Sequence, residues 1–174
     1  MKRTMLTVLS AAVLCSVATA QSPSSLTPTG VQFRVGAFVP ADNAMRDLAN
    51  YFYAAGVDIN TGSSLVSKGE GFVAIDAYWR NSNSMGSVVP ITYNQRIYTG
   101  NSKYGEGRAY LFVGGGIFFF HGPGGNDSKL GGRGGIGFEF NDRLAFEAVG
   151  TLTPAADSGV ACNGVAIYLG YRFP

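Results

Sequence analysis

Apolar and polar residues alternate along the end of the chain, from Val165 to Phe173. Large apolar side chains occupy every second position, and the positions between them hold Ala, Tyr, Gly and Arg. Successive side chains of a strand point to opposite faces, so this period of two predicts a strand between two unlike environments. Charged residues in the other alternating segments fall on the same side as Arg172. This pattern is typical of a membrane barrel with an apolar exterior and a polar interior.

The alternation predicts eight strands, the number found in the smallest common membrane barrels. They cover residues 31–39, 51–60, 71–80, 88–98, 108–120, 129–140, 144–151 and 165–173. Asp42 is expected to cap one helical turn after the first strand. Gln95 is the one polar exception on the outward face of its strand.

The inward positions of these strands combine glycine with charge. An eight-stranded barrel is just wide enough for side chains to fill it, so small residues must leave room for large ones. The glycines are Gly36, Gly56, Gly114, Gly116, Gly131, Gly135, Gly137 and Gly170, and the charged residues include Arg34, Asp76, Arg80, Glu139, Glu147 and Arg172. We expect these charges to pair, because an isolated buried charge is costly.

Outward aromatic residues form two predicted belts when odd strands run up and even strands run down. The lower belt holds Phe33, Phe138, Phe140, Phe146, Tyr171 and Phe173, and the upper belt holds Tyr51, Tyr53, Trp79 and Phe119. Tyr93 lies at mid-height and fits neither belt. Aromatic belts are typical of barrel positions at the lipid headgroups. The alternative is a soluble barrel of lipocalin type with its apolar face inward. The polar face is rich in Gly and poor in Lys and Glu, which favours the membrane barrel.

The start of the chain predicts export. Lys2 and Arg3 precede an apolar run that ends at Ala18-Thr19-Ala20, so residues 1–20 are interpreted as a cleaved signal peptide. Residues 21–29 are a flexible lead-in, and residues 30–174 form the barrel. Removal of the signal peptide reduces 13 basic residues to 11, against 11 acidic ones. The zero net charge gives no support to nucleic acid as a partner.

The chain resembles the small eight-stranded outer-membrane β-barrels of the OmpA-transmembrane-domain and opacity-protein type. The resemblance rests on the opening strand 31–40, the glycine-rich segments 109–120 and 131–140, and the terminal Tyr171-Arg172-Phe173. It implies an all-β, antiparallel, up-and-down transmembrane barrel in the bacterial outer membrane. It also implies a monomer surrounded by outer-membrane lipid, with its last strand recognised by the barrel-assembly machinery. The chain departs from the family pattern by placing Pro174 after Phe173.

The motifs that could carry chemistry are weak, and we expect no catalytic residue, no cofactor and no metal. Residues 132–137 match the glycine pattern of a dinucleotide-binding fingerprint, but the helix that should follow this motif is missing from the sequence pattern. Residues 124–127 are similar to one calcium-binding repeat, but such sites need stacked copies. His121 is the only histidine and is expected in a loop, without a serine placed beside it. Cys162, the only cysteine after residue 20, is interpreted as a loop thiol.

Three classes of function remain open from the sequence. The first is a non-enzymatic integral barrel with an envelope-structural or surface-contact role. The second is a narrow channel for small solutes, with Arg34, Asp76, Arg80 and Glu147 along the conduction path. The third is a lipid A-modifying enzyme that depends on His121. The narrow lumen and the isolated histidine favour the first class.

Overall fold

The computed structural model describes residues 30–65, 69–80, 86–99, 107–122 and 125–173. The strands are β1 (Val31–Pro40), β2 (Phe52–Asn60), β3 (Gly69–Trp79), β4 (Ser87–Thr99), β5 (Arg108–Gly122), β6 (Gly125–Glu139), β7 (Leu144–Leu152) and β8 (Gly164–Arg172). Each strand pairs antiparallel with its sequence neighbour, and β1 pairs with β8 to close the barrel. The predicted eight-stranded up-and-down barrel is therefore confirmed. The predicted signal peptide and lead-in lie outside the described residues.

The β5–β6 hairpin is longer than the sequence predicts. Its ladder continues to the pair Gly122–Gly125, whereas the sixth strand is predicted to begin at Lys129. Gly125 has a φ of 111°, a conformation that favours glycine and allows the chain to turn there. Residues 125–131 extend past the last β6–β7 pair, which joins Gly132 to Leu152. The hairpin therefore extends above the end of β7. His121 lies within β5, so the prediction that it lies in a loop is wrong.

The facing of the strands agrees with the alternation. The inward Arg34 is 1% exposed, whereas the outward Val113 is 67% exposed. Some inward glycines are required by close strand contact: a Cβ atom at Gly36 would overlap the backbone of Ile167, and one at Gly116 would overlap that of Ile91. These positions hold glycine because the opposite backbone already occupies the space of a side chain.

Exposed aromatic rings line both ends of the barrel. The lower rim is the end that carries Val31 and Arg172, and there the Phe33 and Phe173 rings lie 5.4 Å apart, in edge contact. At the upper rim the Tyr53 and Trp79 rings are 6.1 Å apart. The outward positions between the two rims are mainly aliphatic and glycine. The arrangement matches the two predicted belts.

Gln95 is covered by the turn that follows β2. Its side-chain amide donates to Ser64 Oγ at 2.8 Å and accepts from the backbone N–H of Leu65 at 2.9 Å. The turn thus lies against the outer wall of the barrel near the lower rim. Its polar groups explain why this outward position holds glutamine, since a buried amide needs hydrogen-bond partners.

A short helix, α1 (Asn43–Leu48), lies at the upper rim between β1 and β2. The predicted cap is confirmed: the Asp42 carboxylate accepts from the backbone N–H of Met45 at 3.0 Å. Met45 is 1% exposed and packs into the mouth of the barrel, which fixes the helix over it. No helix among the described residues is long and apolar enough to cross a membrane.

Candidate functional site in the lumen and at its mouth

Arg34 lies at the centre of an ionic network inside the barrel. From β1 its guanidinium reaches three carboxylates: Asp58 on β2 at 2.8 Å, Asp76 on β3 at 2.7 Å and Glu147 on β7 at 2.7 Å. All four side chains are almost completely inaccessible to solvent. A single arginine thus links four strands, through charge-assisted hydrogen bonds to Asp76 and Glu147 and through an ion pair with Asp58.

Arg96 extends the network across the lumen from β4. Its Nη2 atom lies 3.5 Å from Glu147 Oε1, and its Nη1 atom lies 3.8 Å from Glu70 Oε2. The guanidinium also stacks over the ring of Tyr110, 4.4 Å from the centroid, and the Tyr110 hydroxyl donates to Glu147. Cation–π contact stabilises a desolvated guanidinium more than an exposed one. These contacts close the middle of the barrel.

Charge is balanced among the buried groups that the structure describes. Five arginines face five carboxylates, and every strand contributes an arginine, a carboxylate or both. The arginines are Arg34, Arg96, Arg108, Arg133 and Arg172, and the acids are Asp58, Glu70, Asp76, Glu139 and Glu147. The expected pairing is confirmed: even at the lower rim, Glu139 accepts from Arg108 at 2.7 Å and from Arg172 at 2.8 Å.

Two arginines differ from the rest, namely Arg80, which belongs to the predicted inward set, and Arg133. Arg80 donates to the backbone oxygen of Leu48 at the upper rim. Arg133 extends across the lumen from β6 and pairs with Asp76 on β3, a contact that the sequence does not predict. Such distances across the lumen depend on the closed sheet and cannot be read from the alternation of one strand.

Above the ions, the lumen is apolar. The rings of Phe38 and Tyr78 stack with their centroids 4.6 Å apart, and Phe52 meets Phe38 edge-on at 6.3 Å. Phe118 and Phe120 complete this layer from β5, and both are buried. The polar lumen predicted from the sequence is thus correct for its lower and middle parts and wrong for its upper part.

A cleft of about 370 Å³ lies above the aromatic layer, at the mouth of the barrel. Its apolar lining comes from five separate parts of the chain, namely Met45 and Leu48 on α1, Phe52, Val88, Phe120 and Val160. Its polar rim holds Ser87, His121, Asn126, Asp127, Asp157 and Ser158. Clefts of this size and character are typical of small-molecule sites. The sequence gives no signal for it, because its residues meet only after barrel closure.

An ion-pair cluster holds one wall of the cleft in place. Lys129 Nζ lies 2.9 Å from both Asp127 Oδ2 and Asp157 Oδ1. The backbone N–H of Asp157 also donates to Asp127 Oδ2 at 2.9 Å. The donated hydrogen bond from Lys129 lowers the pKa of Asp127. The loop between β7 and β8 is thereby tied to the β5–β6 hairpin.

His121 lies in β5, not in a loop. The strand register places it beside Ser87 on β4 and Asn126 on β6. The sequence hypothesis overlooked this serine, which is 34 positions away in the chain and becomes adjacent through strand pairing. No hydrogen bond joins the three side chains among the described residues. Activation of a serine nucleophile needs a base within about 3 Å of its hydroxyl.

The glycine-rich motifs of the sequence lie in a strand, and the cysteine is buried. Residues 132–137 lie within β6, and residues 125–127 begin it. Cys162 is buried beside Thr151, and burial raises the pKa of its thiol to about 12. No group of three or more His, Cys, Asp or Glu side chains in the described residues is arranged to hold a metal ion.

Comparison with known proteins identifies the fold. No family model matches the chain, and no curated protein matches it. Among solved structures, the chain is similar to Neisserial surface protein A (NspA), with a TM-score of 0.55 and 9% identity, over 82% of this chain and 92% of that one. The N-terminal β-barrel domain of Pseudomonas aeruginosa OprF has a TM-score of 0.49 and 12% identity, over 83% of this chain and 98% of that one. The chain shares the fold of NspA. At this identity the likeness concerns the fold alone.

Proposed function

We propose that the protein is an integral barrel of the bacterial outer membrane, with a sealed lumen and an envelope-structural or surface-contact role. The outward wall supports the membrane location. It presents mainly aliphatic residues and glycine between two rims of exposed aromatic rings, as barrels in lipid do. Residues 1–20 fit this location as a cleaved signal peptide.

The observation that carries the proposal is the filled lumen. Arg34, Arg96 and their carboxylates occupy its middle, and the Phe38–Tyr78 stack covers them. An ion would have to displace these paired groups, each of which would then be left buried without its partner. The same contacts favour a sealed barrel over a channel for small solutes. The absence of a bond between His121 and Ser87 favours it over a lipid A-modifying enzyme.

Surface contact is assigned to the upper rim. This rim carries α1, the raised β5–β6 hairpin and the mouth cleft. The partners that follow from this role are outer-membrane lipid around the wall and the barrel-assembly machinery at β8. The protein acts as a monomer in this proposal, without nucleic acid.

A planar bilayer experiment tests the sealed lumen. The purified, heat-modifiable protein is expected to give no conductance steps, with a known porin as the positive control. The variant Arg34→Gly removes the central guanidinium of the ionic network. If this network blocks the current, the variant is expected to give brief openings. Stable steps from the wild-type protein would support the channel instead.

A further inference from the structure

The first seven residues of β6 have a strand neighbour on one side only, within the part of the chain that the structure describes. Residues 125–131 pair with residues 116–122 of β5, whereas the pairing with β7 ends at Gly132 and Leu152. After β7 the chain turns towards the lumen: a Cβ at the inward Gly131 would lie 2.6 Å from Thr153 Cγ2. We call the side of residues 125–131 that faces away from β5 the free edge.

The backbone groups of these residues alternate in direction. In an antiparallel sheet, residues that bond to one neighbouring strand alternate with residues that bond to the other. The Gly131 oxygen points to β5, 3.3 Å from a Cβ position at Gly115, and the Leu152 oxygen points from β7 to β6. The odd-numbered residues of this part of β6 therefore bond to β5. The residues that direct their backbone groups to the free edge are Asn126, Ser128 and Leu130.

Most backbone groups on the free edge have no hydrogen bond. The Ser128 N–H donates to the Asp127 carboxylate at 2.6 Å. The N–H groups of Asn126 and Leu130, and the C=O groups of all three edge residues, make no hydrogen bond among the described residues. The three residues are also exposed. A row of exposed, unpaired backbone groups is a template for another strand.

The free edge lacks the features that usually protect a strand edge, such as proline, a β-bulge or a very short strand. Residues 125–131 contain no proline, and the β5–β6 ladder keeps one register up to the Gly122–Gly125 pair. Lys129, the one lysine of the segment, lies 2.9 Å from both Asp127 and Asp157. Its charge is therefore already paired, and the edge is long, regular and fixed in place.

We propose that the free edge binds an extended segment of another protein, which adds to the sheet as a strand beside β6. Backbone hydrogen bonds to Asn126, Ser128 and Leu130 would hold this segment, as in strand addition at other sheet edges. The inference rests on the surface-contact role proposed for the upper rim, and it names the partner class for that role.

The charge beside the free edge specifies the partner further. Asp127, Asp157 and Lys129 are two carboxylates and one ammonium, so their formal net charge is −1. The Asp157 side chain is 87% exposed. An added strand would direct every second side chain to the lumen side, towards this cluster. We therefore assign a basic residue to that side of the partner strand.

A second copy of the barrel in the same membrane does not fit the free edge. Strands of membrane barrels tilt by about 35–45°, so the β6 edges of two upright copies would cross at roughly 70–90°. Strands at such an angle cannot form a ladder, because a ladder needs neighbouring strands that run nearly side by side. A separate extended segment above the membrane has no such restriction.

A strand probe tethered beside the free edge tests the proposal in the full barrel in nanodiscs. Leu152→Cys supplies an exposed attachment point at the end of β7, and Cys162 is buried. A disulfide and a short glycine linker hold the probe there at roughly millimolar effective concentration. The probe is a blocked seven-residue peptide of alternating threonine and valine with a central lysine. Amide hydrogen exchange, followed by NMR, is the measurement.

We expect the probe to slow exchange of the Asn126 and Leu130 amides at least about tenfold, because each gains a hydrogen bond. The Lys129 amide, which bonds to β5, should be protected with and without the probe. The control is the same peptide with methylated backbone nitrogens, which cannot donate to β6 and should protect neither amide. Unchanged exchange with the unmodified probe, or equal slowing by the methylated one, overturns strand addition.

A proline pair blocks the edge without breaking the β5 ladder. Asn126→Pro with Leu130→Pro removes the two unbonded N–H groups, and prolines are tolerated where the N–H faces away from the sheet. Asn126→Ala with Leu130→Ala keeps both N–H groups and is the matched control. Amides of an isotope-labelled probe should be protected in the alanine variant and exchange as in the free peptide in the proline variant. Equal protection in the heat-modifiable proline variant overturns the proposal.

A third comparison tests the charge of the partner. A probe with glutamate in place of its lysine should protect the Asn126 and Leu130 amides about two- to fivefold less, because it faces a net negative cluster. Equal or greater protection by the glutamate probe overturns the basic partner. Failure of every probe on a barrel that gives no conductance steps overturns strand addition and leaves the sealed-barrel role standing.

Discussion

The Arg34 guanidinium on β1 lies 2.7 Å from the Glu147 carboxylate on β7, and both side chains are almost completely buried. The two residues are 113 positions apart in the chain. Their contact bypasses β8, which lies between their strands in the sheet. The pair therefore ties the barrel across its lumen as well as around its wall.

Removing the Arg34 guanidinium should destabilise the barrel strongly. Arg34→Met leaves Asp58, Asp76 and Glu147 without their shared cation, and breaking a buried ion pair from one side costs about 3–5 kcal/mol. Urea unfolding in lipid vesicles, followed by heat-modifiability on gels, measures the change. Arg143→Met, in the exposed turn between β6 and β7, is the control and should alter the free energy of unfolding little. Similar values for both variants would contradict the central role of Arg34.

Inward and outward glycines should differ in their tolerance of alanine. A Cβ at Gly116 would overlap the backbone of Ile91, whereas one at Gly132 would have its nearest neighbour at 3.7 Å. Gly116→Ala is expected to cost roughly 1–3 kcal/mol through overpacking, and Gly132→Ala to be nearly neutral. The same unfolding measurement compares the two. A larger loss for Gly132→Ala would mean that the strand facing is reversed.

A charge on the outer wall should be costly at mid-height. Val113 is 67% exposed on β5, and Val113→Arg should cost about 2–4 kcal/mol if the wall faces the centre of a bilayer. Ser158→Arg, in the exposed β7–β8 loop, is the control. Unfolding in vesicles gives both values, and equal tolerance at the two positions would argue against a lipid-facing wall.

His121→Ala should leave both folding and lipid A composition unchanged. The side chain makes no hydrogen bond to Ser87 or Asn126 among the described residues, and the proposed non-enzymatic role gives it no catalytic part. Heat-modifiability reports folding, and mass spectrometry of lipid A from cells with and without the protein reports activity. The non-enzymatic role is lost if wild-type protein deacylates or acylates lipid A and the variant does not.

The tie between the hairpin and the β7–β8 loop should weaken in acid. The hydrogen bond from Lys129 lowers the pKa of Asp127 from 3.8, so the tie is fully present above that value and is lost as the pH falls through the lower folded pKa. The amide NMR signal of Asp157, whose N–H donates to Asp127, should shift over that range. Asp127→Asn should abolish the pH dependence. An Asp157 signal that titrates equally in the variant would show that another group is responsible.

Much of the fold follows from local pattern. The period of two determines which side chains of a strand share a face, and therefore placed Arg34, Glu147 and Arg172 inside and Val113 outside. The capping role of Asp42 was also predictable, because it depends on residues within one helical turn. These features need only the geometry of a single strand or helix end.

The tertiary structure determines which residues become neighbours across the barrel. Alternation assigns Arg133 to the lumen, but only closure of the sheet between β1 and β8 brings it to Asp76. Pairing of β4 with β5 likewise makes Ser87 a neighbour of His121 and explains why the loop predicted there is a strand. The mouth cleft has the same origin, since Leu48, Val88, Phe120 and Val160 meet only when separate segments converge. The sequence determined facing because facing is local, whereas partners and cavities depend on strand register and closure, which long-range pairing alone sets.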